Sequence, residues 1–591
     1  MRIVKLPVLL AGCAALAACG GGGGGGGGPR STPTPTPTPS PAPTPTPTPT
    51  PTPSGTDFQS LAGVKSFDVT AARSRTTYVS TDGEVLSSEA ERGDMVIRYD
   101  ADADSYEVSY GILASRYGAG DKQEERIEGE TQYLTADSGF YVSRSPYNFI
   151  PEEGRIMRDY VATAFWEIGV GSAGTATTYW TASVFGFPTE GALPVAGQAT
   201  YLTDVVGVMA ASGQEVAFVQ GLADFVVDFS SGEFRLSGFM NETSIFTTGG
   251  SGGSLRFNAG GALGDANRFS GLLSYEGSHT NFVGTIEGQF FGPDAQEMGG
   301  VFDAASGDDT LVGTVTGHAT NYASTSEGLR NFGLVDPRRT ERYATREARL
   351  FWHEADGVID WTSASNGGST MVEYGPDGVE LVSGPFTYRP DEADLVESEG
   401  AFLRYETEVE GEPASVRLFK VGEDNPDIVL TYASFGSAIL ARPPGSGQDF
   451  IEEYFVFGDE TPMGIVTARS GSATYSGRAY GSAASVTHGQ FDIAGSADFT
   501  VDFDTDRYEA SLALTGTQGG VDQDFGTWSF ASENLGTAVA TGLDADDRGG
   551  MQIWYFGPLA HEIGGTFWLA TGPDLVDDTI HIAGAVVATE N

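Results

Sequence analysis

The sequence predicts an all-β protein of two related lobes, carried on a long tether, and three observations point that way. Three blocks of sequence recur in the same order in the two halves of the chain. Short stretches alternate apolar and polar residues with a period of two, the mark of a strand with one buried face. Glycine supplies 82 of 591 residues, and Gly, Asn, Asp and Ser fill the gaps between those stretches, with no sustained helical period anywhere.

The first element is a targeting segment. Arg2 and Lys5 precede an apolar run from Leu6 to Ala18. That run is too short to span a bilayer, which takes about 20 apolar residues, and it fits a secretory signal. Ala17 and Ala18 ahead of Cys19 resemble a bacterial lipobox. The resemblance implies cleavage after Ala18 and acylation of Cys19, with multiple acyl chains giving firm anchoring. Residues 1–18 are therefore read as a lipoprotein signal peptide. Residues 19–56 are read as the lipidated cysteine followed by a nine-glycine run at 20–28 and a Thr/Pro-rich segment. Glycine runs are flexible, and Thr-Pro repeats favour polyproline II at about 3.1 Å per residue. Neither can bury a core, so both stand outside the fold.

The two halves follow. Gly197-Gln198-Ala199-Thr200-Tyr201 recurs as Gly471-Ser472-Ala473-Thr474-Tyr475, and Ala223–Phe229 (ADFVVDF) recurs as Ala497–Phe503 (ADFTVDF). Phe291–Phe302 (FGPDAQEMGGVF) recurs as Phe556–Phe567 (FGPLAHEIGGTF). Phe225, Val227 and Phe229 share one face of their strand, as do Phe499, Val501 and Phe503. Many such short antiparallel strands point to a barrel or sandwich, and closure would remove exposed sheet edges. Each repeat follows a further strand-rich region of its own. Strands are expected there at Phe67–Thr70, Asp94–Tyr99, Ser105–Tyr110, Phe140–Val142, Tyr160–Gly169 and Thr177–Phe187. The segment Glu341–His353 fits either a charged helix or a strand.

Composition closes several function classes. The net charge of −48 argues against nucleic-acid binding, which rests on cationic contacts to phosphate. Both cysteines, Cys13 and Cys19, lie in the leader region, so the body has no disulfide, thiolate metal site or cysteine nucleophile. The six histidines show no metal-ligand spacing. Gly249–Gly253 matches G-x-S-x-G, and Gly169–Gly174 matches G-x-G-x-x-G, but neither leads into a helix as an elbow or dinucleotide turn requires. No catalytic, cofactor or metal residue is assigned, and the chain is read as non-enzymatic.

The repeated F-G-P-x-A-x-E-x-G-G-x-F block resembles the barrel signature of transferrin-binding protein B-type surface lipoproteins. The resemblance implies an N-lobe and a C-lobe, each a β-rich handle-like subdomain followed by an antiparallel eight-stranded barrel. Expected boundaries are 57–194 and 195–325 for the first lobe, and 326–470 and 471–591 for the second. It further implies a lipid-anchored, surface-exposed outer-membrane protein. Such a protein captures a macromolecular, haem or other nutrient ligand and works with a surface-lipoprotein translocon and a TonB-dependent receptor. The alternative is a passive surface-layer or adhesion lipoprotein without a receptor. Gly292, Pro293, Glu297, Gly299, Gly300 and their counterparts Gly557, Pro558, Glu562, Gly564, Gly565 are expected to be structural. Gly292-Pro293 and Gly557-Pro558 would turn, the Gly-Gly pairs would permit a tight re-entry, and the glutamates would accept N–H bonds from the turn. Phe291, Phe302, Phe556 and Phe567 are expected to point into barrel cores. Tyr147 and Phe149, flanked by Pro146 and Pro151, are candidates for a capture surface, since loop aromatics often anchor interfaces.

Overall fold

The computed structural model describes residues 57–124, 128–145, 157–171, 174–247, 250–320, 341–367, 370–375, 378–383, 386–389, 394–397, 400–409, 411–420, 422, 425–442, 448–541, 547–572 and 579–591. Cys19, Tyr147 and Phe149 lie outside them. Among these residues the fold is almost wholly antiparallel β. It is organised as sheet, closed barrel, paired sheets, closed barrel.

The first sheet has eight strands. Its order is Leu113–Tyr117, Ser105–Tyr110, Val85–Asp100, Val64–Val79, Thr175–Gly186, Val161–Gly171, Ser138–Ser143, Glu130–Leu134. The two central hairpin strands, Val64–Val79 and Val85–Asp100, are 16 residues each and much longer than their apolar stretches suggest. The reason is chemical. Beyond Phe67 and Ile97 the positions that bury against the barrel are small or hydroxylic: Ala72, Ser74, Thr76 and Ser88. Hydrogen bonds satisfy these hydroxyls, Ser74 Oγ lying 3.1 Å and Ser88 Oγ 2.5 Å from Thr310 Oγ1 of the barrel. A polar residue with a partner buries without leaving an alternating apolar signature.

The first barrel runs from Gln198 to Thr320 in eight strands, each paired with its sequence neighbours and the last closing on the first. Ala223, Phe225 and Val227 point into its core with Tyr201, Phe234, Phe269, Phe290 and Phe302. The second barrel repeats the plan from Ser472 to Glu590, with Ala497, Phe499 and Val501 inside. Between the barrels lie a seven-stranded and a four-stranded sheet. Glu341–His353 is strand, split into Glu341–Ala344 and Arg346–Ala355.

The expectation for the signature phenylalanines holds for half of them. Phe302 and Phe567 are in barrel cores. Phe291 instead packs outside its barrel against Val161 and Val184 of the first sheet, and Phe556 packs with Tyr432, Phe435 and Val456 of the seven-stranded sheet. Phe290 takes the inward position. A barrel wall covered by a sheet is apolar on both faces, so two consecutive phenylalanines can both be buried.

Candidate functional site

The signature forms a joint between sheet and barrel, built twice. Gly292 and Gly557 have φ of +82° and +85°, a conformation that favours glycine, and open the turn after the strands Asn281–Phe291 and Arg548–Phe556. Thr189 and Thr461 donate their hydroxyls to the carbonyls of Gly292 and Gly557 at 2.7 and 2.5 Å. Tyr201 and Tyr475 cross each barrel to donate to the carbonyls of Ala295 and Ala560, both at 2.7 Å.

The carboxylates then reach out of the barrel. Glu297 accepts the backbone N–H groups of Asp159, Tyr160 and Val161 at 2.7, 2.9 and 2.8 Å. Glu562 accepts those of Thr431, Tyr432 and Ala433 at 2.6, 2.9 and 2.7 Å. The donors belong to the start of a sheet strand and its approach, not to the signature's own turn as expected. A strand beginning against a barrel has amides with no ladder partner, and a buried carboxylate satisfies three at once. Both glutamates are 5% exposed. Burial pushes both carboxyls up, Glu562 to about 7, while the three N–H bonds pull the other way.

The Gly-Gly pairs lie within strands and serve close approach, not re-entry. A Cβ on Gly299 would sit 2.8 Å from Val161 Cγ2, and one on Gly564 would sit 2.5 Å from Val456 Cγ1. Gly300 and Gly565 face the neighbouring barrel strand, where a Cβ would meet the carbonyls of Glu287 and Gln552 at 2.7 and 2.4 Å. One glycine of each pair lets the sheet seat; the other lets the barrel close.

The segment carrying Tyr147 and Phe149 springs from a described base. Arg158 is 2% exposed, pairs with Asp204 of the first barrel at 2.9 Å, and donates to the carbonyl of Ser145 at 3.0 Å. Its own N–H bonds the carbonyl of Arg144 at 2.9 Å. Both ends of that segment are thus held to the barrel. Sequence reasoning did not single out Arg158, because a buried arginine looks like a surface arginine until its partner 46 residues away is known. The G-x-G-x-x-G stretch leads directly into the strand Thr175–Gly186, as a hairpin connection does.

The lobes meet at a seam that the sequence did not reveal. Arg235 of the first barrel pairs with Asp459, the two side chains being 5% and 4% exposed, and also donates to the carbonyl of Glu460 at 2.8 Å. Tyr432 donates to Glu233, and His561 Nδ1 lies 2.9 Å from Glu233 Oε1. The hydrogen bond to Glu233 holds the His561 imidazole above its ordinary pKa. His561, read from sequence as a polar turn residue, is therefore a cross-lobe contact. Among the described residues no group of three or more His, Cys, Asp or Glu is placed to hold a metal ion.

The first barrel, with its signature turn, is similar to a known family. Residues 188–319 match the family model for the C-lobe and N-lobe beta barrels of Tf-binding protein B. No curated protein matches the chain. Among solved structures, one similar chain is a transferrin binding protein B double mutant from Haemophilus parasuis Hp5, 14% identical. It covers 91% of this chain and 99% of that one, with a TM-score of 0.25. The isotype 1 transferrin binding protein B of serogroup B Neisseria meningitidis is 17% identical over 74% of this chain and 86% of that one, TM-score 0.24. The N-lobe domain of lactoferrin binding protein B of Moraxella bovis is 13% identical over 44% of this chain and 100% of that one, TM-score 0.21. At these scores the structural likenesses add nothing to the family match.

Proposed function

We propose that this chain is a non-enzymatic outer-membrane lipoprotein, anchored through acylated Cys19 and displayed at the cell surface, that captures a ligand. The observation that carries the reading is the match of residues 188–319 to the Tf-binding protein B barrel, on a barrel that the signature clamps to a neighbouring sheet. The same sheet-and-barrel unit is built a second time. In this reading residues 1–18 direct export, 19–56 are the tether, and the lobes divide at 57–194, 195–325, 326–470 and 471–591. The capture surface includes Tyr147 and Phe149, in the segment between Ser145 and Arg158. The ligand is a protein, haem or another nutrient, handed to a TonB-dependent receptor. A charge of −48 favours a basic partner.

The test is a pull-down with the lipid-free chain from residue 57, using envelope extract and growth medium. Mass spectrometry reads retained proteins and absorbance reads haem. A saturable partner lost in the Tyr147→Ala/Phe149→Ala variant supports capture. Retention of nothing above background at micromolar bait favours the passive surface-layer alternative.

A further inference from the structure

The first sheet–barrel joint encloses polar groups that the second does without. His318 lies on the strand Asp309–Thr320, opposite Glu297 on one side and Leu202 on the other. Val315 of that strand points into the barrel core, so Thr316 and His318 share the outer face. His318 is 8% exposed, and among the described residues neither of its ring nitrogens has a hydrogen-bond partner. The charged groups around it come from three elements. Arg158, on the approach to the sheet strand Val161–Gly171, donates to Asp204 Oδ2 at 2.9 Å, and Asp204 lies opposite Thr316 on the barrel. Glu297 has both oxygens engaged by the backbone N–H groups of residues 159–161. Asp159 is turned to Gln59 Nε2, at 2.6 Å, and the Arg144 guanidinium lies over the Phe58 ring, 5.6 Å from its centroid. The sheet strand itself brings the Thr163 hydroxyl, 3.1 Å from Thr316 Oγ1.

The second lobe builds the same joint without these groups. Glu562 takes Thr431, Tyr432 and Ala433 as Glu297 takes Asp159, Tyr160 and Val161, so the buried Leu430 stands where Arg158 does. Thr589 lies opposite Glu562 as His318 lies opposite Glu297. Val587 lies opposite Arg478 as Thr316 lies opposite Asp204, and Arg478 is exposed. The three-amide clamp therefore needs neither a buried ion pair nor a histidine. Burying Arg158 and Asp204 costs desolvation, and a buried imidazole without partners forgoes its hydrogen bonds. The first joint gains no strength from them, but it gains a titratable group. Burial first, and Arg158 second, hold the His318 imidazole below its ordinary pKa of about 6.5. A base depressed on folding contributes stability that is full above about pH 6.5 and is lost as pH falls below it. Once protonated, His318 is a second cation beside Arg158, where Asp204 Oδ2 and both Glu297 oxygens are already engaged.

We propose that Arg158, Asp204 and His318 form an acid-sensitive latch: proton uptake by His318 displaces Arg158 from Asp204 and loosens the first sheet from the first barrel, while the second lobe, which has threonine at that place, stays seated. The inference goes beyond macromolecular capture and does not depend on it.

The test is hydrogen exchange of the full chain in detergent at pH 7.5 and pH 5.0, followed by mass spectrometry and expressed as protection after the intrinsic pH dependence of exchange is removed. Peptides covering 159–161 and 316–320 should lose about tenfold or more of their protection at pH 5.0. Peptides covering 431–433 are the internal control. Their clamp is the same carboxylate without a histidine, and burial raises the Glu562 carboxyl to about 7, so acid should leave their protection level or higher. His318→Thr, which installs the second lobe's residue, and His318→Gln should each keep residues 159–161 within about threefold of their pH 7.5 protection at pH 5.0, with circular dichroism confirming an intact fold. Undiminished protection of residues 159–161 in the parent at pH 5.0 would overturn the proposal and leave His318 a solvated or water-bridged side chain. So would an equal acid loss in both lobes, which the parent reports without any variant, or a full loss in either well-folded variant.

Discussion

Replacing Glu562 by alanine should detach the seven-stranded sheet from the second barrel locally, and Glu297→Ala should do the same in the first lobe. Each carboxylate is the acceptor for three backbone N–H groups, two of them buried at Glu562 and one at Glu297, the rest partly buried. An orphaned buried donor costs about 1–3 kcal/mol, and relief of the carboxylate's own desolvation offsets part of the sum, so a net loss of about 3–5 kcal/mol is expected. That is near the upper end for single substitutions. Two-lobed proteins do not unfold in one step, so a global denaturation midpoint is the wrong readout. Hydrogen exchange followed by mass spectrometry reports the amides themselves. Peptides covering 159–161 or 431–433 should exchange at least 10²-fold faster in the matching variant, since about 1.4 kcal/mol is a factor of ten. The other lobe should be unchanged. Glutamine keeps one acceptor oxygen and should show less than half the effect. If both alanine variants leave those peptides within threefold of the parent, the joint is not what seats the sheets and the reasoning fails.

Other outcomes follow from the same contacts. Arg235→Ala removes the buried cation that pairs with Asp459 and should weaken the lobe seam by about 3–5 kcal/mol; small-angle scattering would show lobe separation and proteolysis would quicken between the lobes. Gly564→Ala places a Cβ 2.5 Å from Val456 and should destabilise by about 1–3 kcal/mol through overpacking, read as faster hydrogen exchange in peptides covering Val456 and Gly564. Glu167 lies on the strand Val161–Gly171, and burial raises its pKa to about 8. An acid raised on folding stabilises the fold when protonated, so that stability is present below about pH 4.5 and is lost as pH rises to about 8. Glu167→Gln should therefore slow hydrogen exchange in the peptide covering Val161–Gly171 more at pH 8.5 than at pH 5, each relative to the parent at the same pH; equal effects would show that the carboxyl is solvated.

The strands of both barrels were legible because each wall has one face in a core and one facing out. Phe225 and Val227 with Asp224, and Phe499 and Val501 with Asp498 and Thr500, write that alternation directly. The signature was legible as a repeated motif but its action was not. Glu297 and its donors are separated by 136 to 138 residues, and nothing local in Asp159-Tyr160-Val161 marks amides in need of an acceptor. The long first-sheet strands were missed because the residues they bury, Ala72, Ser74 and Thr76, are small or hydroxylic and leave no hydrophobic period.

The sequence by itself determined the all-β class, the duplication and, in strands such as Ala223–Phe229 and Ala497–Phe503, the face turned to a barrel core, because periodicity and repetition are local properties of a chain. Only the tertiary structure decided that the signature glutamates join sheet to barrel and that Arg235, Glu233, Tyr432, Asp459 and His561 meet across the lobes. It alone decided too that Arg346 lies over the Trp554 ring. Those are partnerships between residues far apart in the chain, and a side chain's partner, unlike its polarity, is set only when the backbone brings the two together.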